Sequence, residues 1–140
     1  MLKTSPLLNG RLASAVATLR HGDMIVVADA GLPAPPGVET LDLAVTQGVP
    51  SLADVLPALR DAAVLHEVLV ATDMGRVNPT RRALVGEIFT SDEIREVPHE
   101  EIEVLLPRAA LIVQTGECTP YANVVLVGGV SFFDMAMAES

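Results

Sequence analysis

The sequence predicts an α/β protein: a three-layer α/β/α sandwich, Rossmann-like, around a mostly parallel, mixed sheet. Three observations favour this class. Continuous apolar runs such as Met24–Ala28 have the length of buried strands, and segments with helical spacing of apolar residues separate these runs. Half of the 140 residues are hydrophobic but only 3% are aromatic, so small aliphatic side chains must fill the core. The length suits a single domain, residues 1–140.

The N-terminal part of the chain predicts one helix and two strands. Asn9 is a suitable N-cap for a helix that reaches Arg20, because apolar residues recur along it at helical spacing. Met24–Ala28 is the first strand, and it ends at the turn-forming sequence DAGLP, which begins at Asp29. Thr40–Val45 alternates between apolar and polar residues, which predicts the second strand.

The middle of the chain predicts two helices on either side of a strongly apolar strand. Ser51 and Asp54 have the spacing of a capping box, which opens a helix over 51–62. Val64–Ala71 is the strand. The range Asn78–Phe89 begins with an asparagine cap and a proline, the usual start of a helix.

The last part of the chain predicts three more strands and a helix. Ile94–Val97 is a short strand, and a helix begins at His99 with acidic residues in its first turn, where the helix dipole favours them. Leu111–Gln114 and Val124–Val127 are the late strands. The alternation of strands and helices is the pattern of an α/β sheet covered on both faces.

Composition excludes several classes of partner. The net charge of −9 repels a phosphate backbone, and a single tyrosine with no tryptophan leaves little stacking surface, so nucleic-acid binding is not expected. No apolar run approaches the ~20 residues of a membrane-spanning helix. The only cysteine, Cys118, cannot form an internal disulfide, and the N-terminus is too polar for a secretory signal. We therefore expect a cytoplasmic protein.

A polar segment separates the last two predicted strands. Its sequence, TGECTPYANV from Thr115 to Val124, holds a glycine, the carboxylate Glu117, Cys118 and the only tyrosine. Such groups at a strand end suit a small polar ligand. Glycine, proline and asparagine are equally the residues of an ordinary turn, so both interpretations stand. For Cys118 a packing role is favoured over a nucleophilic one.

Several kinds of chemistry lack their motifs. The strand Met24–Ala28 is not followed by the glycine pattern of a dinucleotide site, and neither a phosphate-binding loop nor a serine-hydrolase elbow is present. The histidines and the cysteine do not have the spacing of zinc ligands. No cofactor and no metal are predicted.

The three histidines differ in context. His21 follows the first predicted helix, where it either complements the helix dipole or takes part in a site. His99 is either an exposed residue at a helix start or a site residue. His66 stands in the sequence LHEV at a predicted strand start; we expect no polar group to accompany it and interpret it as structural.

Asp29 is a stronger candidate for a site. It ends a buried strand at the carboxyl end of the predicted sheet, where open α/β sheets bind ligands. The alternative is that its side chain only caps the turn into Gly31. Its position favours the site interpretation.

Four segments resemble the ribose pyranase and fucose mutarotase family. They are RHGD from Arg20, VVADAGLPAP from Val26, LDLAVTQGVPS from Leu41 and TGECTPYANVVL from Thr115. The segments occur in order through nearly the whole chain. The sequences GLP and TQGVPS resemble the ribose branch of the family more than the fucose branch.

The resemblance implies a cytoplasmic isomerase of ribose catabolism that interconverts the pyranose and furanose rings of D-ribose without a cofactor. It also implies a homo-oligomer, with pentameric rings that form a decamer and sugar bound at the subunit junctions. By position, His21 resembles the proton donor of the family and is the candidate catalytic residue. The candidate sugar-binding residues are Asp29, His99, Tyr121, Ala122 and Asn123.

These residue types suit the reaction. A change of ring size requires a proton at the ring oxygen and removal of one from the anomeric hydroxyl, and histidine exchanges protons near neutral pH. Tyr121 and Asn123 offer a phenol and an amide that can bind neighbouring hydroxyl groups. Asp29 can accept hydrogen bonds from the sugar, and it would hold His21 charged if the two lie close.

The spacing of His21 and Asp29 constrains the site. They bracket one strand, and eight residues at ~3.3 Å each place them roughly 26 Å apart if the chain is extended. Either the chain bends around Gly22, or the two residues of one site come from neighbouring subunits. Our hypothesis is the shared site.

Three other functions compete with ribose ring interconversion. The first is mutarotation of another sugar, such as L-fucose. The second is a non-catalytic cytoplasmic protein that only binds ribose. The third is a structural oligomer-forming module, which gives no reason for Tyr121 and Asn123 to accompany His21 and Asp29.

Overall fold

The computed structural model describes residues 7–130, and within them strands alternate with helices. The predictions made for residues 1–6, for the ends of the 1–140 domain and for any signal at the N-terminus lie outside this range. The strands are β1 Met24–Ala28, β2 Thr40–Asp42, β3 Leu65–Ala71, β4 Ile94–Val97, β5 Leu111–Gln114 and β6 Val124–Gly128. The α-helices are α1 Gly10–Thr18, α2 Leu52–Ala62, α3 Thr72–Val77, α4 Pro79–Ile88 and α5 His99–Leu105, which continues into a 3-10 helix, Leu106–Arg108.

The strands form one mixed sheet in the order β2-β5-β1-β6-β3-β4. β1 pairs in parallel with β5, β5 with β2, and β3 with β4. β6 alone is antiparallel to its neighbours β1 and β3. The predicted mostly parallel sheet is confirmed. Because β6 runs the other way, it begins at the edge where the parallel strands end; we call this the carboxyl edge, and the opposite one the amino edge.

The two faces of the sheet carry separate hydrophobic clusters. Successive residues of a strand point to opposite faces, so Ile25 and Val27 pack with helices α1, α2 and α4, whereas Val26 and Ala28 pack on the side of α5. All five residues of β1 are buried. This arrangement confirms the three-layer sandwich.

Of the three predicted N-terminal caps, two are present. Asn9 accepts a hydrogen bond from the Leu12 amide (3.0 Å) and caps α1, and the Ser51 amide donates to Asp54 Oδ2 (2.8 Å) in the predicted capping box of α2. Asn78 precedes α4 as predicted, but its side chain makes no capping bond. The cap predicted there is therefore wrong, and the Asn78 amide is used elsewhere.

Two elements differ from the predictions. The short helix α3 was not predicted, since Gly75 and a length of six residues give little periodic signal. The strand predicted over 40–45 ends at Asp42, where the Ala44 amide turns back to Asp42 Oδ1 (2.9 Å). None of the helices formed by residues 7–130 is long and apolar enough to cross a bilayer.

Candidate functional site

A cleft opens at the carboxyl edge of the sheet. Asp29 directly follows β1, Asn123 directly precedes β6, and His99 starts α5 just after β4. The cleft has a volume of about 400 Å³, in the usual size range of small-molecule sites. Its lining consists of Asp29, Gly31, Leu32, Pro33, His99, Glu103, Pro120, Tyr121 and Asn123. The topology thus gathers four of the six predicted site residues in one place.

Asp29 and Asn123 form a reciprocal pair in this cleft. The Asp29 amide donates to Asn123 Oδ1 (2.8 Å), and Asn123 Nδ2 lies 3.4 Å from Asp29 Oδ2. The other carboxylate oxygen, Oδ1, accepts from the Gly31 amide (3.0 Å). Asp29 therefore caps the turn into Gly31, as the alternative interpretation predicted, and it also lines the cleft, so its role in binding stays a prediction. The pair fixes the carboxylate before any ligand arrives.

His99 is held from several directions. Its Nε2 lies 3.0 Å from Glu103 Oε1, one helical turn along α5, and its amide donates to Asp73 Oδ1 (3.3 Å). Its ring packs edge-on against Tyr121, with 5.1 Å between the ring centroids. Nδ1 is buried without a hydrogen-bond partner among the described residues. The interpretation of His99 as an exposed helix-start residue is wrong, because only 17% of the side chain is exposed.

Tyr121 has an unusual backbone conformation. Its φ is +56°, and it is the only non-glycine residue within 7–130 with a positive φ. This left-handed region disfavours side chains larger than those of glycine and asparagine. The conformation turns the chain into β6 while the ring meets His99. The surrounding loop must supply the interactions that maintain it.

The loop between β5 and β6, residues 115–123, is built around a buried carboxylate. Glu117 is 2% exposed. It accepts hydrogen bonds from the Leu52 amide (3.1 Å), Arg81 Nε (3.1 Å) and Thr119 Oγ1 (2.8 Å). Burial raises the pKa of Glu117, but the bonds from Thr119, Leu52 and Arg81 and the charge of Arg81 outweigh it, so the pKa lies below its ordinary value.

Ala122 and Cys118 depart from what their types suggest. Ala122 is fully buried in the core and does not line the cleft, so its role in sugar binding stays a prediction. Cys118 is exposed, with Sγ 3.4 Å from the Gly116 carbonyl oxygen, so the packing role predicted for it is wrong. It lies beside Asp29 in a second cleft of about 420 Å³ that continues from the first.

His21 lies at the amino edge, away from the other candidates. The amide of its neighbour Gly22 donates to the carbonyl oxygen of Gly128 (2.9 Å), which is the last residue of β6. Asn123, in contrast, directly precedes the first residue of β6. The five residues of β6 separate these ends by about 16 Å at ~3.3 Å per residue. Gly22 has a φ of +86°, but the turn it makes does not carry His21 to Asp29. Asp29 therefore does not reach His21 of the same chain.

The ring of His21 faces that of His66, with 5.3 Å between centroids. The expectation that no polar group lies beside His66 is thus wrong. The helix-dipole account of His21 is wrong as well, because α1 ends at Thr18. Within residues 7–130, no three histidine, cysteine or acidic side chains lie close enough together to hold a metal ion.

Sequence reasoning missed three polar residues near the cleft. Glu103 could have been found, because it follows His99 by four residues on a helix, the spacing of an ion pair. Asp73 and Asn78 gave no such signal. Asp73 lies in the unpredicted helix α3, and Asn78 has the sequence position of a helix cap.

The fold is an open α/β sheet with a cleft lined by polar groups at the ends of its parallel strands, the place where such sheets bind ligands. The chain belongs to the RbsD / FucU transport protein family, whose model matches residues 2–131. The resemblance noted in the sequence is confirmed by this match.

Similar proteins support this placement. The chain is 45% identical over 132 residues to the D-ribose pyranase of Paracidovorax citrulli, covering 94% of this chain and all of that protein. It is 40% identical over 131 residues to the D-ribose pyranase of Chloroflexus aggregans, with the same coverage. The structure of Bacillus subtilis RbsD complexed with D-ribose superposes with a TM-score of 0.88 at 38% identity, covering 93% of this chain and 98% of that one.

Proposed function

We propose that this chain is an isomerase that interconverts the pyranose and furanose forms of D-ribose by acid–base ring opening and closure, without a cofactor. The observation that carries the proposal is the cleft in which Asp29, His99, Tyr121 and Asn123 converge. The chain that forms it is 45% identical over nearly its whole length to a protein named D-ribose pyranase. Carboxylate, imidazole, phenol and amide groups are the hydrogen-bonding set that a neutral polyol requires.

The cleft residues bind and orient the sugar. Asp29 accepts from hydroxyl groups, and Asn123 keeps its carboxylate in place. Tyr121 and His99, whose rings pack edge-on in the same cleft, offer a phenol and an imidazole. Holding the hydroxyls favours one alignment of the reacting carbon and oxygen over the many that free rotation allows.

His21 supplies the proton. The imidazolium donates a proton to the ring oxygen as the bond from that oxygen to the anomeric carbon breaks, and the anomeric hydroxyl releases its proton to water as the carbonyl forms. The open-chain aldehyde then rotates. A different hydroxyl attacks the carbonyl and gives its proton to the now neutral His21, while water returns a proton to the carbonyl oxygen, so that the other ring forms and the imidazolium is restored. Acid–base catalysis of this kind contributes about 10²–10⁴-fold.

The proposal includes a site made by two copies of the chain. His21 and Asp29 lie at opposite edges of one sheet, so His21 must enter the cleft from a neighbouring copy. Rings of five subunits stacked as a decamer would repeat this junction at every interface. The enzyme would work in the cytoplasm, in ribose catabolism, on sugar that carries no phosphate.

The test is two-dimensional exchange NMR on D-ribose, with wild type, His21→Gln and a matched control, His66→Gln. We expect wild type and the control to accelerate exchange between the ring forms equally. His21→Gln should lose about 10²–10⁴-fold of this acceleration. Exchange by His21→Gln at the wild-type rate would contradict the proposal. Acceleration with L-fucose and not with ribose would favour the other sugar, and binding without acceleration would favour an accessory protein.

A further inference from the structure

Asn78 does not act as its place in the sequence predicts. It directly precedes α4, yet its side chain accepts no hydrogen bond from the backbone amides of that helix. Instead its amide group donates to Thr119 Oγ1 and to the Pro120 carbonyl, both at 2.9 Å. Asn78 is 8% exposed, so these bonds form in a protected environment. The residue thus ties the start of α4 to the loop of residues 115–123.

The bonds from Asn78 continue into a chain of hydrogen bonds. Thr119 accepts from Asn78 and donates to Glu117 Oε2 (2.8 Å), and Arg81, one turn into α4, donates to the same oxygen (3.1 Å). Glu117 Oε1 accepts from the Leu52 amide at the start of α2. Hydrogen bonds that share partners in this way strengthen one another. The loop is therefore clamped from two helices at once.

These hydrogen bonds, which we call the clamp, end one residue before Tyr121, whose backbone is strained. Pro120, which accepts from Asn78, directly precedes Tyr121 with its φ of +56°. A tyrosine freed from its neighbours would favour negative φ. Such a change would turn the ring away from His99, which it now meets edge-on at 5.1 Å.

We propose that Asn78 and Glu117 are positioning residues, which hold the loop of residues 115–123 so that Tyr121 stays in its left-handed conformation against His99. Neither residue lines the cleft that contains Tyr121, so both act through the loop. The consequence for catalysis rests on the proposed function, whereas the conformation of Tyr121 does not.

Two substitutions separate this role from helix capping. As an N-cap, aspartate or serine serves as well as asparagine. As a clamp, Asn78→Asp loses both donors and places a carboxylate against the Pro120 carbonyl and near Glu117. Asn78→Ser is shorter and keeps a single donor. The matched control is Asn9→Asp, because Asn9 is a true N-cap that accepts from the Leu12 amide.

The chain offers a direct probe of the loop. Tyr121 is its only tyrosine and there is no tryptophan, so intrinsic fluorescence reports on this one residue. In both Asn78 variants we expect acrylamide quenching of Tyr121 to increase about two-fold as the loop loosens. We also expect kcat/KM for ribose exchange to fall about tenfold, mainly through KM, as the loss of two neutral hydrogen bonds predicts. Asn9→Asp should match wild type in both.

The outcomes decide between the two roles. Wild-type quenching in both Asn78 variants would overturn the proposal, as would increased quenching with unchanged kinetics in an active enzyme. Should Asn78→Asp fail to fold, Asn78→Ser carries the same test. If the wild type shows no ribose exchange, the proposed function fails, but the quenching still tests the clamp.

Discussion

The two edges of the sheet carry histidines in contrasting surroundings. At the carboxyl edge His99 is mostly buried and touches Tyr121, Glu103 and the carboxylate of Asp73. At the amino edge His21 is exposed and has the ring of His66 beside it. The side chains at the first edge are held in place by one another, whereas His21 at the second edge has few contacts. Under the proposed function, sugar binding and proton donation would therefore come from different copies of the chain.

The largest effect should come from His21→Gln, and it should be an effect on rate alone. Because His21 is the proposed proton donor, we expect the rate of ribose exchange to fall about 10²–10⁴-fold. Ribose affinity, measured by calorimetry, should stay within about threefold, since the hydroxyl-binding groups are untouched. A loss of affinity as large as the loss of rate would contradict the assignment of sugar binding to one edge and of proton donation to the other.

Asn123→Ala should have the opposite profile. It removes the acceptor of the Asp29 amide at 2.8 Å, in a residue that is 2% exposed. We expect a loss of about 1–3 kcal/mol in the free energy of unfolding, from the unpaired buried amide, and weaker ribose binding. Urea unfolding and calorimetry measure the two quantities. Unchanged affinity would show that the Asp29–Asn123 pair does not organise the site.

Glu117→Gln should destabilise the chain in a pH-dependent way. The pKa of Glu117 is lowered in the folded state, so its ionisation stabilises the fold above the unfolded pKa of about 4.3. This contribution disappears as the pH falls through the lower folded pKa. The difference in unfolding free energy between wild type and Glu117→Gln should therefore be largest near pH 7 and shrink below about pH 4. A difference that grows on acidification would contradict the assignment.

The smallest effect is expected for His66→Gln. His66 contacts only the ring of His21 among the described aromatic groups and lies at the exposed amino edge. We expect less than about a twofold change in exchange rate, since no hydrogen bond is lost there. A loss comparable to that of His21→Gln would mean that the two imidazoles act together.

Much of the fold was predictable because its signals are local. β1, β4 and β5 have the predicted bounds. β1 is a continuous apolar run, as a strand buried on both faces requires. The failures also have local causes. α3 is too short to show helical periodicity, and β2 ends at Asp42, whose side chain accepts a hydrogen bond from the Ala44 amide.

The site was predictable in part for the same reason. Asp29 was found from its place at a strand end, and the resemblance supplied His99, Tyr121 and Asn123. The roles of Asn78 and Glu117 were not visible in the sequence, because their partners, apart from Thr119 beside Glu117, are 36 or more positions away. Strand length predicted that an extended chain would separate His21 from Asp29, and the structure excludes the alternative of a bend around Gly22 that brings them together.

The most direct test of the shared site is subunit complementation. His21→Gln and Asp29→Asn are each expected to be nearly inactive, and they are then co-expressed with two different tags so that mixed oligomers can be purified. If each site takes His21 from one copy and Asp29 from another, about a quarter of randomly assembled sites contain both native residues, and ribose exchange should recover to about a quarter of the wild-type rate. Mixed oligomers as inactive as either parent would contradict the account.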